Sequence, residues 1–516
     1  MRLRYRSLII FASNAATRVM SILTAVVLVR LMSKEDFGTY RQVYLVLMFL
    51  AGIFAMQLPD SLYYFVPKLG AERRRLLTAQ TLGISWVSAG VMGLIMYFSA
   101  EPLSRLFDGN PDLASLLRLF SPMPLAFLTL ALVPAFMISM DRPARAGVYT
   151  LLREGVNAAV VITLVALDYP LSAALRAVVL VASGVALLAA VDMLRLSPGR
   201  LRRPDAGLLR SQLGYVLPLL MVTLTGQIGR YLDKFLISSF FDTERFAVYS
   251  VGAIHVPFVA LVTTSMFSAI MPDLVRLRQD GRTEPMLGLW REVLRKGALV
   301  LHPAFAIMLV TAPDLMVLLY GRAYQAAAWP FMIYLLELPG RVAIYGALLR
   351  VSGRTRAVAV GALVGVSTNL VVSLALILIS RAVFGPGSML AFLSPSLGTL
   401  ASFLTTVMYL LLTTRRVTGT SFRGIMPWGA LGRILGLCVL AAAPAYVAPH
   451  LVLRLARMWA EVESLGPLVN IVISTAVFAV SAPLLILGTG TLEADEKEML
   501  RLPLRLAGRL LRRIRT

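Results

Sequence analysis

Charged side chains interrupt a few otherwise apolar stretches of this chain, and their spacing decides which of them can neutralise one another. Arg18 has no acidic residue within a helical turn, so its guanidinium must find water or an anion. Arg230, Asp233 and Lys234 fall within one turn; Arg230 and Lys234, four residues apart, share a helix face, and Asp233, three from Arg230, is placed to pair with it. Two cations against one carboxylate leave surplus positive charge. Glu337 and Arg341 are also four apart and are spaced to cancel. Arg30 stands near the end of its stretch, where a long side chain can reach an interface. His255 is the kind of side chain that exchanges a proton near neutral pH, although a single histidine in an apolar run also serves as a structural residue. If these stretches cross a membrane, each charge costs about 2.5–3.5 kcal/mol on insertion scales, so it tends to face a cavity or a partner.

Composition makes the membrane the premise. Of 516 residues, 58% are hydrophobic and 15% charged, against about 45–50% and about 25% in soluble domains. Lipid must therefore solvate much of the surface. A single cysteine, Cys438, excludes an internal disulfide, and three scattered histidines, His255, His302 and His450, argue against a metal centre. Phosphate-loop, HExxH and nucleophile-elbow patterns are absent, so no cofactor and no hydrolytic chemistry are expected.

Apolar segments of spanning length recur at 8–32, 38–65, 78–100, 114–138, 147–167, 172–192, 213–238, 246–271, 297–320, 327–350, 357–380, 391–413, 432–452 and 466–488. They predict an all-α integral membrane protein of about 14 transmembrane helices. The second carries Pro59 and Asp60 and is expected to end early or kink. The N-terminal basic residues followed by 8–32 read as an uncleaved first span rather than a leader. Lys and Arg at the termini and in the loops after even-numbered spans outnumber those in the other loops roughly five to one, which puts both termini in the cytoplasm. The net charge of +23 is thus mainly a topology signal, not a nucleic-acid footprint. Clusters such as Arg73–Arg75, 200–203 and Arg276/Arg278/Arg282 read as anchors to anionic headgroups. The tail 491–516 alternates basic and apolar residues and is expected to lie on the cytoplasmic leaflet.

Lys34-Glu-Asp-Phe-Gly-Thr-Tyr40 after span 1 is echoed by Thr243-Glu-Arg-Phe-Ala-Val-Tyr249 after span 7, with Glu35, Phe37 and Tyr40 matched at a constant offset of 209. Two six-span halves in the same orientation make a parallel repeat. The expected organisation is a six-helix bundle over 1–200, a second over 201–416, two additional helices over 417–490, and the tail.

The stretches Leu28-Val-Arg-Leu-Met-Ser-Lys-Glu-Asp-Phe-Gly-Thr-Tyr40 and Gly226-Gln-Ile-Gly-Arg-Tyr-Leu-Asp-Lys-Phe-Leu236 resemble the starts of the two halves of Wzx-type polysaccharide flippases, within the multidrug/oligosaccharidyl-lipid/polysaccharide exporter superfamily. The resemblance implies a V-shaped pair of bundles around a cavity, in the bacterial inner membrane. It also implies an undecaprenyl-diphosphate-type lipid-linked oligosaccharide as cargo, with membrane lipids and the glycan polymerase and chain-length machinery as partners. Such a headgroup suits Arg18, Arg230, Lys234 and Arg30 as cavity cations, since a guanidinium fork matches phosphate oxygens and an ammonium is a mobile point charge. Asp233, Glu337, Arg341 and His255 remain ion-pair or coupling candidates. A drug or metabolite exporter of the same superfamily is the alternative, and a membrane enzyme is disfavoured by external loops of about a dozen residues or fewer.

Overall fold

The computed structural model describes residues 2–107, 109–197, 199, 204–456, 466–490, 492 and 496. The basic run 200–203 and, apart from Leu492 and Glu496, the tail expected at 491–516 lie outside the described residues. Among the described residues the chain is helical with no strand. Its first half runs α1 (Arg2–Leu31), α2 (Lys34–Phe54), α3 (Leu58–Phe65), α4 (Ala71–Phe98), α5 (Ala100–Leu106), α6 (Pro111–Phe120), α7 (Met123–Ser139), α8 (Pro143–Ala166), α9 (Leu171–Leu196) and α10 (Ala206–Phe240). There follow α11 (Thr243–Gly252), α12 (Pro257–Gln279), α13 (Thr283–Tyr320), α14 (Ala328–Leu335), α15 (Ala347–Val351), α16 (Thr355–Phe384), α17 (Met389–Thr418), α18 (Phe422–Ile425), α19 (Trp428–Ala456) and α20 (Gly466–Gly488).

Among the described residues, eleven segments are long and apolar enough to cross a membrane, and three bent pairs raise the number to 14 if each is one span. That matches the count expected from hydropathy. The bends are 55° between α6 and α7, 44° within α10, and 55° between Arg322–Leu335 and Gly340–Val351. Exposed Leu180, Leu187 and Leu188 on α9, and Val371 and Ile379 on α16, give the helices apolar outer faces. The chain is a multi-pass membrane protein.

Helix starts follow local chemistry. Ser33 accepts the Asp36 N–H at 3.0 Å to cap α2, and Asp242 accepts the Arg245 N–H at 2.7 Å before α11. Ser33 and Asp242 are themselves related by the 209-residue offset, so the sequence repeat extends to a shared cap.

Besides the bends in the fourth and seventh, three expected spans are broken inside the apolar stretch. The second turns at Met56 and Gln57, both left-handed at φ 48° and 53°, just before Pro59. Between α11 and α12 the helix stops at Gly252 and resumes at Pro257. The tenth, expected as one helix over 327–350, opens at Leu336–Pro339 and re-enters through a 3-10 turn, Gly340–Val342. Proline has no N–H and obstructs the preceding turn, which freed carbonyls must answer for in lipid. Side chains answer here: Ser88 Oγ donates to the Phe54 carbonyl at 2.6 Å, the Tyr345 hydroxyl to that of Gly340 at 2.8 Å, and His302 Nε2 to that of Pro339 at 3.3 Å.

By packing, the chain divides into two compact units, Met1–Val251 with Asn369–Pro395, and Gly252–Thr368 with Ser396–Thr516. In the first, α1 lies along α8, α7 is surrounded by α3, α4, α8 and α9, and α2 packs on α10. In the second, α12, α19 and α20 pack on α13, and Asn470 on α20 donates to Asp314 on α13 at 3.1 Å.

Candidate functional site

The cations expected to hold an anion lie on α1 and α10, both in the first unit. Arg18 and Arg230 are exposed, and among the described residues neither has a hydrogen-bond or ion-pair partner. Arg30 is exposed in the last turn of α1, where a cation also complements the helix dipole. The hydroxyls along α1 are spent within the helix: Thr17 donates to the Ser13 carbonyl at 2.7 Å and Thr24 to that of Met20 at 2.8 Å. Asn14, Ser21 and Arg30 are exposed along α1 as well, and Arg18 is the cation nearest its middle.

Asp233 behaves differently from Arg230 one turn earlier. It is buried, 1% exposed, and its Oδ2 accepts the Tyr249 hydroxyl at 3.2 Å and the Lys234 ammonium at 3.3 Å. Lys234 and Tyr249 are thus among its partners, whereas Arg230 is turned outward. The face of α10 that carries Asp233 turns toward α11, while Arg230 points away from the packed interior. Tyr249, known from the sequence only as a repeat position, closes this pair and stacks edge-on against Phe392 of α17 at 5.7 Å.

Sequence reasoning missed a polar hub in the same unit. Asn110 Nδ2 approaches Gln42 Oε1 at 2.8 Å, Thr39 Oγ1 at 2.9 Å and Thr243 Oγ1 at 3.2 Å, while Gln42 donates to Ser238 at 3.3 Å. Arg41 Nη2 donates to the Ser250 carbonyl at 3.3 Å, and these two residues are 209 apart. Equivalent positions of the sequence repeat thus meet here. Gly38 sits against the Thr243 backbone so closely that a Cβ would collide with the Thr243 carbonyl oxygen. Beside the hub lies a cavity of about 500 Å³ lined in part by Lys34, Glu35, Asp242, Glu244 and Arg245. Between α1, α2 and α8 a smaller one, about 180 Å³, is lined in part by Tyr40, Arg41, Tyr44, Glu154 and Asn157. A signal was present in Gln42, a polar side chain opening the apolar run Val43–Phe54.

The remaining candidates converge in the second unit. Glu337, 1% exposed, accepts Arg341 Nε on Oε2 at 2.9 Å, as the four-residue spacing implied, although the pair sits at a helix break rather than on a helix surface. His255 Nε2 stands 3.8 Å from the same oxygen, its ring 4.9 Å from that of Tyr334. Among the described residues no group of three or more His, Cys, Asp or Glu side chains could hold a metal ion.

Comparison with solved structures finds the same fold at low identity. The lipid II flippase MurJ, in an inward closed conformation, aligns with TM-score 0.68 and 13% identity over 93% of this chain and 99% of its own. An inward-facing multidrug resistance MATE family transporter of the MOP superfamily aligns with TM-score 0.59 and 13% identity over 78% of this chain and 96% of its own. A MOP superfamily transporter from Pyrococcus furiosus gives TM-score 0.50 and 12% identity over 81% and 96%. No curated protein sequence matches the chain. The polysaccharide biosynthesis protein family matches residues 5–278, more than half of the chain, from α1 and its Arg18 through the hub, Asp233 and the repeat junction. The chain belongs to the polysaccharide biosynthesis protein family.

Proposed function

We propose that this protein moves a polyprenyl-diphosphate-linked oligosaccharide from the inner to the outer leaflet of a bacterial inner membrane, with both termini in the cytoplasm and without catalysing a reaction. The observation that carries the reading is the pair of exposed guanidinium groups, Arg18 and Arg230, on the leading helices of the two repeats of a polysaccharide biosynthesis protein. A guanidinium that remains exposed within a span needs an anion or water, and a diphosphate supplies four or more oxygens that fit its planar donor fork. Lys234 and Arg30 extend the positive field, with Lys234 shared with Asp233. A fold neighbour that is itself a lipid II flippase supports a lipid-linked cargo.

Halves over 1–200 and 201–416, followed by two additional helices over 417–490, would alternate access by opening and closing the hub of Asn110, Gln42 and Arg41 where the repeat positions 41 and 250 meet. A glycan polymerase and its chain-length machinery are the expected downstream partners. The test is twofold. In a strain lacking the chain, Arg18→Ala and Arg230→Ala should insert normally yet fail to restore surface polysaccharide, and normal polymer in both would remove the cavity assignment. In vesicles, the purified protein should carry a fluorescent polyprenyl-diphosphate glycan to the opposite leaflet. Drug efflux without glycan transfer would replace this reading with the exporter one.

A further inference from the structure

Of the three residues that recur at the 209-residue offset, two are explained by packing. Phe37 and Phe246 are 0% and 1% exposed, Tyr249 is buried, and Tyr40 packs on Tyr44 at 4.7 Å. Glu35 and Glu244 are exposed instead, and among the described residues neither carboxylate has a hydrogen-bond or ion-pair partner. Helix starts do not account for them, because Ser33 and Asp242 already cap α2 and α11, and Asp36 is a further acid in the first turn of α2. Both glutamates line the cavity of about 500 Å³ beside the hub. We propose that this cavity is a saccharide-binding site, which holds a neutral or amino sugar of the glycan at the external face. The inference rests on the transport reading above for the identity of its ligand, but its groups are separate from the cargo cations of α1 and α10.

The lining suits hydroxyl groups. A sugar ring both donates and accepts hydrogen bonds. Carboxylates only accept, whereas the Lys34 ammonium and the Arg245 guanidinium only donate, so the cavity serves both halves of that exchange. Arg245 is shared with Asp242 at 3.5 Å, while Lys34 has no hydrogen-bond or ion-pair partner among the described residues. Pro111 and Val248 add apolar surface for the C–H face of a ring. The volume falls within the range of small-molecule sites, about 300–1,000 Å³.

Charge decides which end of a lipid-linked cargo fits. Lys34 and Arg245 against Glu35, Asp242 and Glu244 leave the lining with more negative than positive groups. A diphosphate is repelled there, and a sugar is not. Among the described residues these acids do not form a group that could hold a metal ion. Position agrees with the chemistry. The starts of α2, α6 and α11 meet at the cavity, after the first, third and seventh expected spans, and those connectors face outside on the orientation predicted from Lys and Arg.

Asn110 belongs to the cavity and to the hub alike. Its amide has two hydrogens for three acceptors, Gln42 at 2.8 Å, Thr39 at 2.9 Å and Thr243 at 3.2 Å. The longest contact, to Thr243 in the cavity lining, is the one a sugar hydroxyl can replace. Occupancy of the cavity and closure of the hub therefore draw on the same donor, which ties the presence of glycan outside to the state of the hub.

The test uses the glycan without its lipid or its diphosphate. Repeat-unit oligosaccharide, hydrolysed from the lipid carrier of the same cells, is titrated against purified protein in nanodiscs and followed by saturation-transfer NMR. Glu35→Ala and Glu244→Ala should each weaken binding about fivefold, the weight of one hydrogen bond, and the double variant about 25-fold if the two act independently. Glu101→Ala, which removes an exposed carboxylate of α5 outside the cavity, should bind as the wild type does. Thermal unfolding of each variant separates lost binding from lost fold. No binding to the wild type, or undiminished binding to the folded double variant, overturns the proposal; transfer of the intact lipid-linked glycan in vesicles would then still uphold the transport reading. Binding that the double variant loses, with no transfer in vesicles, would instead sink the transport reading and leave this site standing.

Discussion

At the scale of single residues, the buried carboxylate of Asp233 sets the clearest energetic constraint. It is served by a neutral hydroxyl from Tyr249 and by the Lys234 ammonium, and the two should not matter equally. Interhelical hydrogen bonds in membranes are worth about 0.6 kcal/mol on average and up to about 1.7 kcal/mol, so Tyr249→Phe should lower stability by that much. Lys234 is charged, and weakening the compensation of a buried carboxylate costs more than losing a neutral hydrogen bond. Lys234→Met should therefore lower the melting temperature in detergent well beyond Tyr249→Phe. Equal effects would mean that Lys234 contributes no charge compensation. The sequence placed all three residues but paired Asp233 with Arg230, because spacing on one helix says nothing about which neighbour faces it.

Among the elements, α2 and α11 matter most. They share a side-chain cap, a buried Phe and a buried or half-buried Tyr at the 209-residue offset, and they touch where Arg41 meets Ser250. Beyond that contact they part: α2 continues to Phe54, whereas α11 stops at Gly252. A Cβ at position 38 would collide with the Thr243 carbonyl oxygen, so Gly38→Ala must push α2 and α11 apart. It should lower both the melting temperature in detergent and glycan transfer. Full transfer at an unchanged melting temperature would show that the close approach is not needed. Pro59 announced the break after α2, but hydropathy runs unbroken through Pro257 and Pro339, so those breaks were not legible from composition.

For the molecule as a whole, the placement of Lys and Arg predicts an orientation that labelling can test. Pro386, exposed between α16 and α17, should become a cysteine labelled by an impermeant reagent from outside the cell. Asp280, exposed between α12 and α13, should be labelled only after the membrane is opened. Labelling of both from the same side would break the alternation on which the 14-span reading depends. The last span, expected at 466–488, coincides with α20 at Gly466–Gly488, and its seat on α13 is set by Asn470 and Asp314. Hydropathy located the helix, but not the partner it docks against.

The sequence by itself determined the solvent and the approximate number of spans. Transfer into lipid sums residue by residue along one helix, so it can be read in one dimension. Only the tertiary structure decided that Asp233 turns to Tyr249, that Asn110 gathers Thr39, Gln42 and Thr243, and that His255 stands beside Glu337. Each of those meetings depends on which face a helix presents to a neighbour distant in the chain. Burying a polar group among other helices is tolerable only where such a neighbour supplies its hydrogen bond.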